Sequence, residues 1–496
     1  MSQPEQSIGV TWTLPFEFET NEAPPDVVFG YVSVRSQGRS VLEAEGLESA
    51  EPYLSSSEDH AAADRALGEV GLEVIAESRI GKAVMGPPGA FEELTGGRVV
   101  TRERLMQAET GRQRYVTHVD IVGDGQPDDL GVGLGGPDSI EAVLLERPRI
   151  PYVVFPSPLP PSVARFHLRV PDDVAFLLGA LPAHRQGQLG EGIAVAMVDS
   201  GHYAHPYFLA HGYDVRPAVT MVPGTRPTED PHGHGTGESA NIFAAAPAAT
   251  LRPYRASNQN GDLIAAIGGF LRAKGDRPDV LTNSWGGSQP YPPAGPPERA
   301  EVMWAIEIRD AIDQGIVVVF SAGNGHFSIE PQVPGVLAAG GAYVGPNLDL
   351  QASDYASGYE SPWFEGVTVP TVCGLVGLRP RAQYLMLPIP SGCTIDLERA
   401  ATADGDPPDG TSPTDGWALF SGTSAAAPQL AGAVAVMLSA NRAIGVDLGP
   451  AQVIERLGSR AVDVRAGRCH PNFNNPAVPG HDAATGFGLV NVAASV

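Results

Sequence analysis

Phe420 to Gly432, FSGTSAAAPQLAG, is the stretch on which the fold turns. It sets one hydroxyl, Ser424, between a Gly-Thr pair and a run of small residues that opens a long apolar helix. Ala425, Ala426 and Ala427 leave the backbone around that hydroxyl accessible. Pro428 suits such a helix only in its first turn, where a missing N–H costs no hydrogen bond. A serine at a helix N-terminus lies beside unsatisfied N–H groups in the positive end of the dipole, which favours a developing oxyanion. Taken alone, Ser-Ala-Ala is more often an N-cap before a core helix. Its partners elsewhere in the chain decide.

A hydroxyl is a weak nucleophile and needs a base, which in turn needs an orienting acid. Ile193 to Val198 (IAVAMV) is an unbroken apolar run, as in a strand buried on both faces of a parallel sheet. It ends on Asp199-Ser200-Gly201, which puts the carboxylate at the carboxyl end of the strand, where open α/β sheets place their sites. Downstream, PHGHGTGESANIFAAAP sets His234 before Gly235-Thr236-Gly237 and a small-residue helix. His232 is the nearest rival base but lacks the Gly-Thr-Gly that follows His234. His202, His205 and His326 lie close to these segments and read as surface or packing residues. A second buried strand, Ile316 to Phe320 (IVVVF), runs into Ser321-Ala322-Gly323-Asn324-Gly325. An asparagine after glycine at a strand end is usually a turn residue. Here its amide can donate to an oxyanion beside Ser424.

In this order, VAMVDSG, HGTG, NSWGG, VVVFSAGN and SGTSAAAPQLAG resemble the subtilisin-like serine proteases, the subtilases. The resemblance runs from about Pro171 to Val496 and includes the closing GFGLVNVAAS. It implies an α/β fold with a doubly wound, mostly parallel sheet, and a serine endopeptidase that passes through an acyl-enzyme. Asp199, His234 and Ser424 would be its triad and Asn324 its oxyanion donor. It further implies that Asn283, Ser284, Trp285, Gly286 and Gly287 form the edge that pairs with substrate, Trp285 making that edge bulky. Ser321, Ala322 and Gly323 would line the opposite wall of the specificity pocket. No charge near these segments points to a basic or acidic preference, which leaves apolar side chains. Protein or peptide is the implied substrate, with no cofactor. In much of the family a calcium loop interrupts the helix after the catalytic histidine, whereas here NIFAAAPAATLRPYRA runs straight on. The acidic loop Val122 to Gly133 does not have the spacing of an EF-hand, so no metal is expected. Two alternatives stand beside this reading. Sedolisins share the GTSA-type serine motif but use a glutamate where this chain has His234 and an aspartate where it has Asn324. A scaffold or permanently inhibited pseudoprotease would act by binding alone.

The 496 residues exceed one core and suggest two or more domains. Val27–Val34, Leu72–Ala76, Ile80–Met85 and Arg98–Thr101 read as strands, and His60–Leu67 and Ala90–Leu94 as helices. That βαββαβ order is the ferredoxin-like split βαβ, the architecture of the propeptides that inhibit subtilases. The expected division is therefore 1–105 as a propeptide-like α+β domain, 106–170 as an acidic, Gly-rich and Pro-rich connection, and 171–496 as the peptidase. Arg147 to Pro161 (RPRIPYVVFPSPLPP) is Pro-rich, hence extended and linker-like. A cut to a mature form would fall between about Thr101 and Val170. The N-terminal segment becomes the second expected partner, an intramolecular inhibitor, with a substrate-recruiting adaptor as the alternative. A formal net charge of −25 argues against nucleic acid or an anionic membrane, and no membrane span is expected. MSQPEQSIGVTWTLPFEF has neither a basic start nor an apolar core, so it is no signal peptide. That favours a cytoplasmic location or leaderless export. Cys373, Cys393 and Cys469 fit a reducing compartment, with a Cys373–Cys393 bridge left open.

Overall fold

The computed structural model describes residues 17–44, 49–107, 113–123, 132–133, 137–151, 166–379, 382–401, 408–411, 413 and 415–496. Residues 1–16, 124–131 of the acidic loop and 152–165 of the Pro-rich stretch thus lie outside the described residues.

The first long strand, β1 (Val28–Val34), is buried along its whole length. Helix α1 (Ser57–Val70) starts at Ser56, whose hydroxyl accepts from the Asp59 N–H, and stops at Gly71 in the left-handed region. A hairpin of β2 (Glu73–Glu77) and β3 (Gly81–Gly86) follows, then α2 (Pro88–Thr95) and β4 (Arg98–Gln107). All six elements sit where the sequence pattern puts them, but the last strand pairs elsewhere. β4 forms an antiparallel hairpin with β5 (Gln113–Val122), in a separate three-stranded sheet with Glu17–Glu19. The place beside β1 goes to β6 (Ile140–Leu145). The resulting five-stranded sheet runs β2–β3–β1–β6, with Val132–Gly133 on the far edge. β5 and β6 fall in the span expected to be a connection. The reason is burial: Ile140, Val143 and Leu145 share one apolar cluster with Leu67 of α1 and Phe91 of α2, so β6 closes the core that the helices open.

A two-residue strand, β7 (Ile150–Pro151), leads out of this unit. The second unit then alternates strand and helix: β8 (Ala194–Asp199), α3 (His234–Ala245), β9 (Thr250–Arg255), α4 (Ala266–Gly275), β10 (Val280–Asn283), β11 (Trp285–Gly286), α5 (Arg299–Asp313), β12 (Val317–Ser321) and β13 (Leu337–Val344). Within a nine-stranded sheet, β9, β8, β10, β12 and β13 lie side by side and all parallel. The apolar run of β8 has its expected cause. Val195 and Met197 pack in the cluster that includes α3, and Ala196 and Val198 in the one that includes α4 and α5, so both faces are covered. Helix α6 (Thr423–Ala443) is long and apolar enough by composition to cross a membrane, but 89% of the relevant window is buried inside the fold. It is the central core helix. Cys373, Cys393 and Cys469 are buried free thiols, so no Cys373–Cys393 bridge forms.

The first unit rests on α4 and α5. Tyr31 donates to Glu307, Ser78 donates to the same carboxylate at 2.7 Å, and Arg79 pairs with Asp310. Lys274 of α4 pairs with both acids, lying 3.0 Å from Asp310.

Candidate active site

Asp199 is the last residue of β8, His234 the first of α3, Ser424 the second of α6, and Asn324 follows β12. All four are buried. His234 Nδ1 lies 2.7 Å from Asp199 Oδ1. A carboxylate cannot donate, so the proton sits on Nδ1 and Nε2 is left as the acceptor. His234 Nε2 has no hydrogen-bond partner.

Asp230, missed in the sequence, ties these two elements together. Its Oδ1 accepts from the Ser200 hydroxyl (2.8 Å) and the Gly233 N–H (2.9 Å). Its Oδ2 accepts from the Thr236 N–H (2.8 Å) and hydroxyl (2.7 Å). The end of β8 and the start of α3 are thereby clamped to one carboxylate. Such a cap is readable only once the loop's path is known.

Pro428 departs from expectation. It lies inside α6, beyond its first turn, and so leaves the carbonyl four residues back without its helical donor. That carbonyl belongs to Ser424, and the Ser284 hydroxyl supplies the missing hydrogen bond at 2.8 Å. Ser424 Oγ returns the contact, donating to the Ser284 carbonyl at 3.1 Å.

Asn324 is oriented by Thr423. Its Oδ1 accepts from the Thr423 N–H (2.9 Å) and hydroxyl (3.1 Å), and its Nδ2 has no partner. The backbone N–H is an unambiguous donor, so the amide can sit only one way round. Its two N–H bonds are left for a ligand atom beside Ser424.

Glu238 is a second residue that sequence reasoning missed. One helical turn after His234, its Oε1 lies 4.0 Å from His234 Nε2, and both side chains are fully buried. Its other oxygen accepts from Asn241 at 2.9 Å, and Asn241 accepts in turn from Gln429 of α6 at 3.2 Å. Burial, with the Asp199 charge behind it, pushes the Glu238 carboxyl up to about 8. Burial works against the His234 imidazolium, yet Asp199, Glu238 and Asp230 together raise it to about 9. The i, i+4 spacing was the available signal.

The remaining candidates divide. Trp285 does not make the edge bulky: its ring is fully buried, packs on Trp304 and Phe320 and donates to the Val198 carbonyl. Asn283 is also buried in the sheet, its amide turned to the Val319 carbonyl at 3.3 Å. Ser284, Gly286 and Gly287 remain as edge backbone. Ser321, Ala322 and Gly323 are carried to α6 by the Gly323 N–H, which donates to the Thr423 hydroxyl at 3.1 Å. His232 stands beside His234, ring centroids 6.0 Å apart. His202, His205 and His326 are buried, not on the surface. His202 meets Ser239, His205 caps the helix at Pro206, and His326 accepts the Asn324 N–H at 3.2 Å. Among the described residues no group of three or more His, Cys, Asp or Glu comes together to hold a metal ion.

The edge is already paired. β7 lies antiparallel to β11, with Pro151 opposite Trp285 and Ile150 opposite Gly286. Just upstream, Arg147 contacts Glu298 (2.8 Å) and Glu301 (3.0 Å), and Arg149 contacts Glu330 (3.4 Å).

Residues 190–488 match the subtilase family, Peptidase_S8. Among similar sequences, the M-protease of Shouchella clausii (strain KSM-K16) is 25% identical over 226 residues, 40% of this chain and 56% of that protein. Subtilisin Savinase of Lederbergia lenta is 25% identical over the same share of this chain and 79% of its own. Subtilisin E of Bacillus subtilis (strain 168) is 27% identical over 269 residues, 52% of this chain and 58% of its own. The chain thus spans little more than half the length of two of these three relatives. Fervidolysin from Fervidobacterium pennivorans, a keratinolytic enzyme related to subtilisin, superposes with a TM-score of 0.55 at 18% identity, over 95% of this chain and 60% of that one. At that identity the likeness speaks for the fold.

Proposed function

This chain belongs to the subtilase family, and from that premise we propose that it is a serine endopeptidase made as a self-inhibited precursor. Ser424 attacks the scissile carbonyl while His234 Nε2 takes its proton and later gives it to the leaving amine. Asp199 holds the tautomer and stabilises the cation. Asn324 Nδ2 and the Ser424 N–H bind the oxyanion of the tetrahedral intermediate. Water then repeats the attack on the acyl-enzyme and frees Ser424. The observation that carries this reading is the His234–Asp199 contact at 2.7 Å, which leaves Nε2 as a free acceptor.

The N-terminal unit is the propeptide, a ferredoxin-like split βαβ whose fourth strand is β6 in place of Arg98–Thr101. Three observations support it: the β2–β3–β1–β6 strand order, the seating of Tyr31 and Arg79 on α5, and the antiparallel docking of β7 on the substrate edge. An inhibitor that adds a strand to this edge blocks it as a substrate would occupy it.

Ser424→Ala tests both halves. The purified variant should lose fluorophosphonate labelling and retain less than about a thousandth of peptide turnover, since losing a triad member cost a subtilisin about a million-fold. By intact mass the wild-type chain should show a cut between Thr101 and Val170 that the variant lacks. A variant that is still labelled, or is cut in the same way during purification, overturns the assignment.

A further inference from the structure

Arg149 and Glu330 form an ion pair with only 2% and 0% of their side chains exposed. Glu330 is fixed from behind by the Gly287 N–H (3.2 Å) and the Trp304 indole (3.3 Å). Glu301, equally buried, stands at the start of α5 and receives Arg147. The two acids belong to the protease unit, and the two arginines to the segment that leaves the propeptide. Two carboxylates this deep are costly without cations beside them. A segment that withdraws takes both arginines with it and leaves Glu301 and Glu330 against the edge strand, with the buried Arg104 of β4 still close to Glu301.

The strand register says what would take the place of the two arginines. With Ile150 opposite Gly286 and Pro151 opposite Trp285, one step upstream sets Arg149 opposite Gly287, whose N–H holds Glu330. The next position along the edge is Ser284, the residue joined to Ser424 by two hydrogen bonds. A peptide in this register brings the carbonyl opposite Ser284 to the nucleophile. Its side chain three residues upstream then falls where Arg149 now lies.

Resting on the endopeptidase reading, we propose that Glu301 and Glu330 form a subsite for an arginine or lysine three residues upstream of the attacked carbonyl, which the chain's own Arg149 occupies in the precursor. The planar guanidinium fork suits a paired-carboxylate site better than an ammonium does, so arginine ranks above lysine. The sequence concealed this because neither glutamate lies in an edge motif. Glu301 reads as one more residue of a helix, and Glu330 lies six residues beyond Asn324.

The test uses the full chain carrying Arg149→Glu, which repels the resident segment from Glu330, and four fluorogenic peptides of the form X-Ile-Pro-Tyr, with X as Arg, Lys, Leu or Glu. kcat/KM should fall in that order, with arginine at least about tenfold above leucine. Glu301→Lys in the same background should reverse the ranking of Arg and Glu. The same peptides are run on the wild-type chain, so the ranking stays measurable if the variant does not fold. Four peptides cleaved within about threefold of one another overturn the subsite and leave the peptidase standing. No cleavage of any peptide, with no fluorophosphonate labelling of Ser424, overturns the peptidase and the subsite with it.

Discussion

Thr423 decides which way round the Asn324 amide sits, and under the proposed mechanism that aims its Nδ2 at charge that exists only in the transition state. Asn324→Ala should lower kcat about 100- to 1,000-fold with KM little changed, the effect known for the oxyanion asparagine of a subtilisin. A loss carried mainly by KM would make Asn324 a binding residue. With His234 as the proposed base, the pair His234–Glu238 would set the pH dependence. His234 accepts a proton only when neutral, and its raised value of about 9 delays neutrality into the alkaline range. kcat/KM should therefore climb as pH rises through that value. Glu238 ionises at about 8, and its charge holds the proton on His234. Glu238→Gln should move the acid limb down by about one unit or more. A limb that stays put while kcat falls would give Glu238 a packing role alone. Asp199, His234, Ser424 and Asn324 stand out in the sequence because each is embedded in a local motif. Glu238 was not, since its meaning depends on burial. Trp285 was misread, because nothing in NSWGG tells which face of the sheet a side chain takes.

Pro428 and Ser284 tie a helix to a strand. Removing the Ser284 hydroxyl takes a donor from the buried Ser424 carbonyl, a loss of about 1–3 kcal/mol. Pro428→Ala restores the helical N–H that the same carbonyl would otherwise accept. The expectation is non-additivity: Ser284→Ala lowers the denaturant midpoint, and adding Pro428→Ala recovers most of the fall. Strictly additive effects would break the link between proline and serine. At this scale the buried parallel strands were readable as apolar runs, since being covered on both faces leaves no polar alternation. The pairing of Arg98–Gln107 was not readable. Which strand lies beside β1 is settled by the core that Ile140, Val143 and Leu145 complete, a contact made far along the chain.

At the scale of the whole molecule, the described residues of the two units meet through side chains rather than through a shared sheet, apart from the two-residue pairing of β7 with β11. The helix after His234 runs uninterrupted from His234 to Ala245, and no metal cluster forms among the described residues. Excess EDTA should therefore leave the melting temperature within about 5 °C, whereas a larger fall would reveal a structural ion. The boundary at 105 was drawn too early, because a Gly- and Asp-rich stretch reads as a linker even when strands on either side of it belong to the preceding sheet.

The two-way contact between Ser284 and Ser424 has a kinetic consequence. With its hydroxyl engaged on the Ser284 carbonyl, the nucleophile is parked. A substrate residue opposite Ser284 would offer its own backbone N–H to that same carbonyl, displacing the hydroxyl and freeing it to turn to His234. Docking at that position would then arm the enzyme, and the precursor, whose edge is paired at Trp285 and Gly286 with the hydroxyl still on Ser284, would be a poor nucleophile towards water and small electrophiles. A substrate N-methylated at the residue opposite Ser284 should accordingly suffer in kcat as well as in KM. A loss confined to KM would show that nothing was being held back.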